Sequence, residues 1–422
     1  MPMIYELLIF LAGLAVYAGY GMTGLLFLML VTVLSYAAGR LIPRHPWMMW
    51  VGVGANVLML AFVKLQPVTG LELPAVMGIS YFTLKVISYL ADIYRGKYLP
   101  ERNFLRYGLY VTYLPQLFLG PIERYDRFLE SAFESRRVDW NGLSSGAARI
   151  LWGLFKKLVI AARAGVVISQ ISSDPARYRG AFALAAMVLY YLQLYADFSG
   201  GIDMVIGVSR MLGISASENF CQPWRAETVR EFWRRWHITL GSWLRDYVYI
   251  PLGGSRRGTM RKILNTLITF LVSGLWHGVH YLVWGLLNGL FVTVGDRCRT
   301  KSAFLNRLGT FGVISLLWAF FIWPDTKTAL EMIVSVFTAG NYGAVFGAAA
   351  ELGLGAGEWL VLAAGAAALW GMESYWEAAV RKYSTMSPAG RVAVLCSLGL
   401  LILVFGMYGI GFDVDAFIYS RF

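Results

Sequence analysis

Charge is scarce in this 422-residue chain: only 15% of its residues are charged, where soluble domains carry roughly a quarter. Cysteine is scarcer still. Cys221, Cys298 and Cys396 are odd in number and far apart, so neither a disulfide framework nor a CxxC metal site is implied. The four histidines form no HExxH and have no carboxylate partner at ligand spacing, so no metal site is predicted. A GxxxxGK[ST] loop is missing, which argues against an ATP-driven pump. Internal repeats and low-complexity segments are also absent. The longest polar stretch, about 209–262, is too short and too aromatic for an independent soluble domain.

What fills the chain instead is apolar. Hydrophobic residues make up 58% of it, and mean hydropathy is +0.57. Apolar runs lie at about 4–20, 22–39, 47–63, 73–91, 104–120, 147–170, 180–208, 263–295, 308–324, 357–372 and 392–411. A bilayer span needs about 20 largely apolar residues, and lipid leaves the backbone no choice but helix. The composition therefore predicts an all-α polytopic membrane protein of about 11 transmembrane helices, forming one membrane-embedded domain over 1–422. The N-terminal MPMIYELLIF lacks a basic n-region and a small-residue cleavage site, so it reads as the first span. The net charge of +12 reads as the cytoplasmic Lys and Arg excess that orients spans, not as a nucleic-acid footprint. Pro115 and Pro121 predict a broken or re-entrant segment over 104–120, and the glycine-rich 328–350 is a candidate interfacial region.

Polar groups inside apolar runs are expensive, so they mark function or internal pairing. The run 180–208 holds Tyr190, Tyr191, Gln193, Tyr195, Asp197, Ser199 and Asp203, and its Gly200-Gly201 pair invites a break. It is either a packing cluster or the wall of a polar cavity. From Pro223 to Lys262 the chain carries nine basic residues, three acidic ones and four Trp. Glu227, Arg230, Glu231, Arg234 and Arg235 offer helical ion pairs. Phe232, Trp233 and Trp236 suit headgroup anchoring, as in an interfacial helix holding anionic lipid. His237, Arg245 and Asp246 go beyond what such an anchor requires. The PLGGSRRG turn that follows suits a phosphate or a carrier.

In the next run Asn265, Ser273, His277, His280 and Asn288 are the main polar groups, with His277 between Gly274 and Gly278. A buried, paired histidine is the plain alternative. An imidazole at membrane depth can instead take a proton from a hydroxyl, with water kept from the donor. That chemistry suits group transfer onto an alcohol. The HxxxxD arrangement of soluble-type glycerolipid acyltransferases follows none of the four histidines.

Ordered blocks carry a resemblance. They are GISYFTLKVISYLADIYRG at 78–96, LPQLFLGPIERYDRF at 114–128, LYADFSGGIDMVIG at 194–207 and ENFCQPWRAETVREFWRRWHITLGSWLRDYVYIPLGG at 218–254. SGLWHG at 273–278 and a terminal FIYSRF at 417–422 complete the set. The chain resembles the membrane-bound O-acyltransferase family, in its bacterial branch of alginate O-acetylation and teichoic-acid D-alanyl transfer proteins, with core motifs over 78–295. The resemblance implies a funnel of about eleven spans, with re-entrant or interfacial helices, around a thin centre. There a cytoplasmic acyl donor meets an acceptor on the far side.

His277 matches the family's WHG histidine and His237 that of its FWxRWH segment; both are the implied catalytic residues. Asp197 and Asp203 match the DFSG…DM segment, and Arg245 and Asp246 the WxRDY segment. The expected substrate-binding set is Asp197, Trp236, Arg245, Asp246, Asn265 and Trp276. IPLGGSRRG and the Asp203-Met204 pair favour the acetylating branch. After His277 the chain reads GVHYLVWG, two residues shorter than the usual spacing, with His280 extra.

The function implied is transfer of an acyl group, foremost acetyl, from a cytoplasmic thioester to a cell-surface or secreted polysaccharide. That transfer is direct or through an extracytoplasmic partner transferase. The donor expected is acetyl-CoA or a carrier-protein phosphopantetheine thioester, with no bound cofactor, no metal and no nucleic-acid partner. The location implied is the bacterial inner membrane. D-alanyl transfer to teichoic acid is the alternative within the class. A transporter or lipid-binding scaffold, with a His and Asp proton relay, is the alternative outside it.

Overall fold

The computed structural model describes residues 2–66, 76–117, 119–134 and 138–408. The terminal block at 417–422 lies outside them. The described residues are helical, and their only β-type pairing is an isolated bridge between Phe220 and Trp236. Cys221 and Cys396 are exposed free thiols.

The first bundle consists of α1 (Pro2–Tyr20), α2 (Met22–Leu41), α3 (Met48–Lys64), α4 (Ile79–Tyr94) and α5 (Phe104–Thr112). The expected break in 104–120 is present: α5 stops at Thr112, and a short helix, Leu114–Leu117, restarts after Tyr113. Pro115 has no backbone N–H to donate to the carbonyl four residues back, so α5 cannot continue through it. Here the turn falls at Tyr113, ahead of Leu114-Pro115, where ψ is 102°.

The second bundle is built on α6 (Trp140–Phe155) and α7 (Ala162–Ser173), which are joined by a π-helical turn over Lys156–Ala161, and on α8 (Ala181–Met211). α8 runs unbroken through Gly200-Gly201, contrary to expectation. Those glycines belong to a contact surface. A Cβ at Gly200 would lie 2.7 Å from the Gly153 carbonyl oxygen, and one at Gly153 would lie 2.4 Å from that of Gly200. Gly146 and Gly207 repeat the reciprocal contact at 2.6 Å. Membrane helices approach this closely only through small residues.

The polar residues of α8 pair across the same contact. Asp203 binds Arg149 at 2.9 Å and Lys156 at 2.7 Å, and Lys156 also binds Glu373 at 2.6 Å. Lys157 pairs with Asp197. The π turn places these two successive lysines against one neighbouring helix.

Short helices follow: α9 (Val229–Arg235) and α10 (Ile238–Leu244), which runs into a π turn over Arg245–Tyr249. The 263–295 run is not one span. It breaks at Gly278 into α11 (Thr259–His277) and α12 (Leu282–Val294). Gly278 has φ +146°, a conformation that L-residues with a Cβ rarely adopt. The two arms of this hairpin touch backbone to backbone. A Cβ at Gly274 would lie 2.5 Å from the Tyr281 carbonyl oxygen, and one at Gly285 would lie 2.4 Å from that of Phe270. Beyond lie α13 (Ala303–Leu317), α14 (Thr326–Thr338), α15 (Ala356–Ser374) and α16 (Pro388–Phe405). The expected interfacial segment 328–350 therefore begins as a helix.

Among the described residues, four helical segments are long and apolar enough to cross a membrane: Met22–Leu41, Ala181–Met211, Ala303–Ile322 and Pro388–Phe405. Leu26, Leu30 and Leu34 on α2 and Leu403 and Val404 on α16 are more than half exposed. Apolar faces of that extent call for hydrocarbon. Separate buried cores fill the two bundles. Between them a small cluster of Tyr81, Leu84, Ile122, Leu240, Trp243 and Trp276 joins α4, α10 and α11.

Candidate active site

One face of α11 lines a cavity of about 560 Å³. Lys262, Thr266, Thr269, Phe270, Ser273 and His277 all reach it. At 100° per residue these positions fall within about 100° of arc, so a single helical stripe forms the wall. From Lys262 to His277 the stripe spans roughly 22 Å at 1.5 Å per residue. Charge marks one end of it: Arg230, Arg234, Arg245 and Lys262 lie in the lining, and Arg234 and Arg245 are exposed. At the other end are His277 and His237.

His277 is the last residue of α11, and the Gly278 reversal sets what surrounds it. Ring centroids of Trp276, Trp284, Phe321 and Tyr281 lie 4.7, 5.5, 5.6 and 6.1 Å from its imidazole, all close to edge-on. Tyr281 and Trp284 come from the returning arm of the hairpin, and Phe321 from the short helix Ala319–Ile322. Trp284 stacks on Trp318. The imidazole is thus boxed by aromatic rings on the side away from the basic end.

His237 arrives by a different route. It stands between α9 and α10 in the left-handed region, at φ 47° and ψ 53°. Phe198 lies 4.9 Å from its ring, and Trp276 lies 6.2 Å away. Trp276 therefore contacts both imidazoles, and its indole N–H donates to the Ser80 carbonyl at 3.3 Å. Both His237 nitrogens are buried and make no hydrogen bond among the described residues. Burial pushes this imidazole down from its ordinary titration range and so favours the neutral, proton-accepting form.

Some expected site residues lie in the cavity lining and some do not. His277, His237, Trp236 and Arg245 line the cavity. Asp246 lines an adjoining cleft, where it pairs with Arg245 at 2.8 Å and Arg124 at 3.4 Å. Arg245, Ile238 and Ser242 border both spaces. Asn265 is fully buried on α11, and its amide donates to the Gly254 carbonyl at 2.9 Å, which ties down the PLGG turn. Asp197 is spent on Lys157, and of α8 only Leu194 reaches the cavity. Asp197, Ser199 and Asp203 of that helix pair with Lys157, Lys156 and Arg149 in a packing network. His280 is exposed in the turn after Gly278.

Phe232 and Trp236, expected at headgroup level, are 1% and 2% exposed and stack on each other in the core. Of the anticipated ion pairs in this stretch, Arg235–Glu231 forms at 2.7 Å. Glu227 turns instead to Arg299.

The residues missed from sequence fall into two groups. Lys262, Thr266 and Thr269 were accessible through their helical spacing with Ser273 and His277. Trp284, Trp318 and Phe321 carry no such signal, because aromatic residues in an apolar run look like lipid-facing or core positions. No group of three or more His, Cys, Asp or Glu that could hold a metal occurs among the described residues. The arrangement is a cavity that runs from basic side chains to two imidazoles set among aromatic rings.

Comparison with known proteins agrees with that chemistry. The family model described as membrane-bound O-acyltransferase matches residues 100–324. The probable alginate O-acetylase AlgI of Pseudomonas fluorescens is 35% identical over 355 residues, covering 80% of this chain and 71% of that protein. A peptidoglycan O-acetyltransferase of Helicobacter pylori is 30% identical, with coverages of 79% and 73%. A teichoic acid D-alanyltransferase of Streptococcus thermophilus is 29% identical, with coverages of 66% and 71%.

Proposed function

The chain belongs to the membrane-bound O-acyltransferase family and is an O-acyltransferase, and from that premise we propose that it moves an acetyl group from a cytoplasmic thioester across the membrane. The acceptor is a hydroxyl of a cell-surface or secreted polysaccharide, reached directly or through an extracytoplasmic partner transferase. The chain sits in the bacterial inner membrane with about eleven spans. The observation that carries this reading is the path along one face of α11 from four basic side chains to His277 and His237.

Each part of the path has a task. Arg230, Arg234, Arg245 and Lys262 hold the phosphates of the donor, as cations do at an exposed mouth. Thr266, Thr269 and Ser273 offer hydroxyls to the amides of a pantetheine arm lying along α11. The thioester carbon then arrives beside His277. The neutral imidazole of His277 accepts the acceptor's hydroxyl proton as its oxygen bonds to the thioester carbon. The carbon–sulfur bond breaks, and the leaving thiolate takes the proton back from the imidazolium. One ester replaces one thioester with no net change in charge and no metal required. His237 orients the thioester or its leaving sulfur, while the aromatic box excludes water that would hydrolyse the donor.

Relatives at similar identity carry both acetyl- and D-alanyl-transfer names, so a carrier-protein thioester of D-alanine is the second reading. Purified protein in nanodiscs with radiolabelled acetyl-CoA separates the two. Label leaving CoA in wild type but not in His277→Ala is the expected result. Turnover only with a D-alanyl-loaded carrier protein overturns the acetyl donor and keeps the transferase. Normal polymer acylation by His277→Ala at equal protein level overturns the role of His277.

A further inference from the structure

The helix that begins at His237 is capped from outside itself. In an ordinary helix start, the N-cap side chain accepts a hydrogen bond from the backbone N–H two or three residues on. His237 holds the N-cap position of α10 and makes no such bond. The work is done by Asn219, which is fully buried. Its backbone carbonyl accepts from the Ile238 N–H at 3.0 Å. Its side-chain Oδ1 accepts from the Thr239 N–H at 3.0 Å and from the Thr239 hydroxyl at 2.6 Å. The Thr239 oxygen in turn accepts from the Ile122 N–H at 2.9 Å, which anchors the group to a third segment. Alongside, the Cys221 N–H donates to the Arg235 carbonyl at 2.9 Å, and Phe220 bridges Trp236.

Two consequences follow for His237. A left-handed L-residue persists only where its surroundings over-determine it, and bonds on both sides of His237 do so here. The first two N–H groups of α10 are also satisfied elsewhere, so the imidazole is not drawn back onto its own helix. It is left to face the cavity. We propose that Asn219, acting with Thr239, is a positioning residue that fixes the His237 imidazole for acyl transfer. The proposal rests on the reading that His237 takes part in the reaction. Asn219 touches neither substrate nor the reacting atoms; it acts through the backbone of residues 237–239.

The test uses full-length protein in nanodiscs, label release from radiolabelled acetyl-CoA, and thermal unfolding of every variant. Asn219→Ala and Thr239→Val are each expected to lower kcat about 10- to 100-fold, in line with the cost of about 1 Å of misplacement. KM for acetyl-CoA should stay within about twofold, because the basic mouth is untouched. Thr239→Ser keeps the bridging hydroxyl and should hold near wild-type kcat.

The decisive comparison is the double variant Asn219→Ala/His237→Ala. If Asn219 works through His237, the double variant is no slower than His237→Ala alone. Should Asn219→Ala slow the His237→Ala protein by its full factor, or Thr239→Ser fail as Thr239→Val does, Asn219 is only structural and the proposal falls. A His237→Ala protein as fast as wild type would instead refute the participation of His237. Absence of label release by wild type would refute the acetyl-CoA reading. These two failures are separate from that of Asn219.

Discussion

Replacing Gly285 by alanine is the sharpest probe of how the hairpin builds the site. A Cβ there would lie 2.4 Å from the Phe270 carbonyl oxygen, 3.2 Å from its carbonyl carbon and 3.3 Å from the Gly274 Cα. Ordinary contact begins at 3.4 Å, so α11 and α12 must part by 3.4 − 2.4 = 1.0 Å at this point. Backbone cannot rotate away as a flexible side chain would. The added methyl is thus an overpacking substitution, costing about 1–3 kcal/mol in a well-packed interior.

Its larger effect falls on geometry. Trp284 precedes Gly285 in sequence and packs 5.5 Å from the His277 ring, so parting the arms moves the aromatic wall away from the imidazole. A misplacement of about 1 Å can cost roughly 10²-fold in rate. Gly285→Ala is therefore expected to lower kcat for acetyl-CoA turnover by about two orders of magnitude while thermal unfolding shifts by a few degrees. Gly371→Ala on α15, where a Cβ meets nothing within 4 Å, is the control and should behave as wild type. A Gly285→Ala protein with wild-type kcat would refute the claim that close approach of α11 and α12 positions the site.

Three further outcomes are expected. Arg245→Ala and Lys262→Ala should each raise KM about fivefold with little change in kcat, since a cation at an exposed mouth contributes about 1 kcal/mol to holding an anion. Added salt should shrink the difference, and salt-insensitive KM values would count against electrostatic capture. Lys156→Met leaves Asp203 with Arg149 alone and takes the cation from the partly buried Glu373, so stability should fall by about 1.5–3 kcal/mol. Denaturation of detergent-solubilised protein measures that loss. Phe321→Ala opens the box beside His277 and should raise propionyl-CoA turnover relative to acetyl-CoA about 10-fold or more, given about 1–3 kcal/mol per methylene in an apolar pocket. An unchanged ratio would show that this wall does not limit acyl size.

Composition alone established a helical membrane protein, because a chain this poor in charge and this apolar cannot satisfy its backbone in lipid any other way. The two histidines stood out for the same kind of reason. A polar group in an apolar run must be paired or used, and His237 and His277 were flagged before any fold was known. The 262-to-277 stripe was legible too, through its helical period, although of its members only Ser273 and His277 stood out as polar groups.

Other features depended on partners distant in sequence. Glycine says that something comes close, not what or from where. Gly200-Gly201 let α6 approach an unbroken α8, whereas Gly278 turned the chain and split one apolar run into two helices. Asp197 and Asp203 read equally well as cavity wall or packing network. Lys157, Lys156 and Arg149 come from α6 and its π turn to pair with them.

Trp318 and Phe321 are ordinary aromatic residues of a span until the hairpin brings His277 against them. The cap that Asn219 supplies to α10 spans twenty residues and shows no local signature. The sequence by itself determined the solvent, the helical class and the reactive groups, since each follows from the chemistry of single residues and their spacing. Tertiary structure alone decided which of those groups share a cavity and which only hold helices together, because that depends on which backbones come within contact distance.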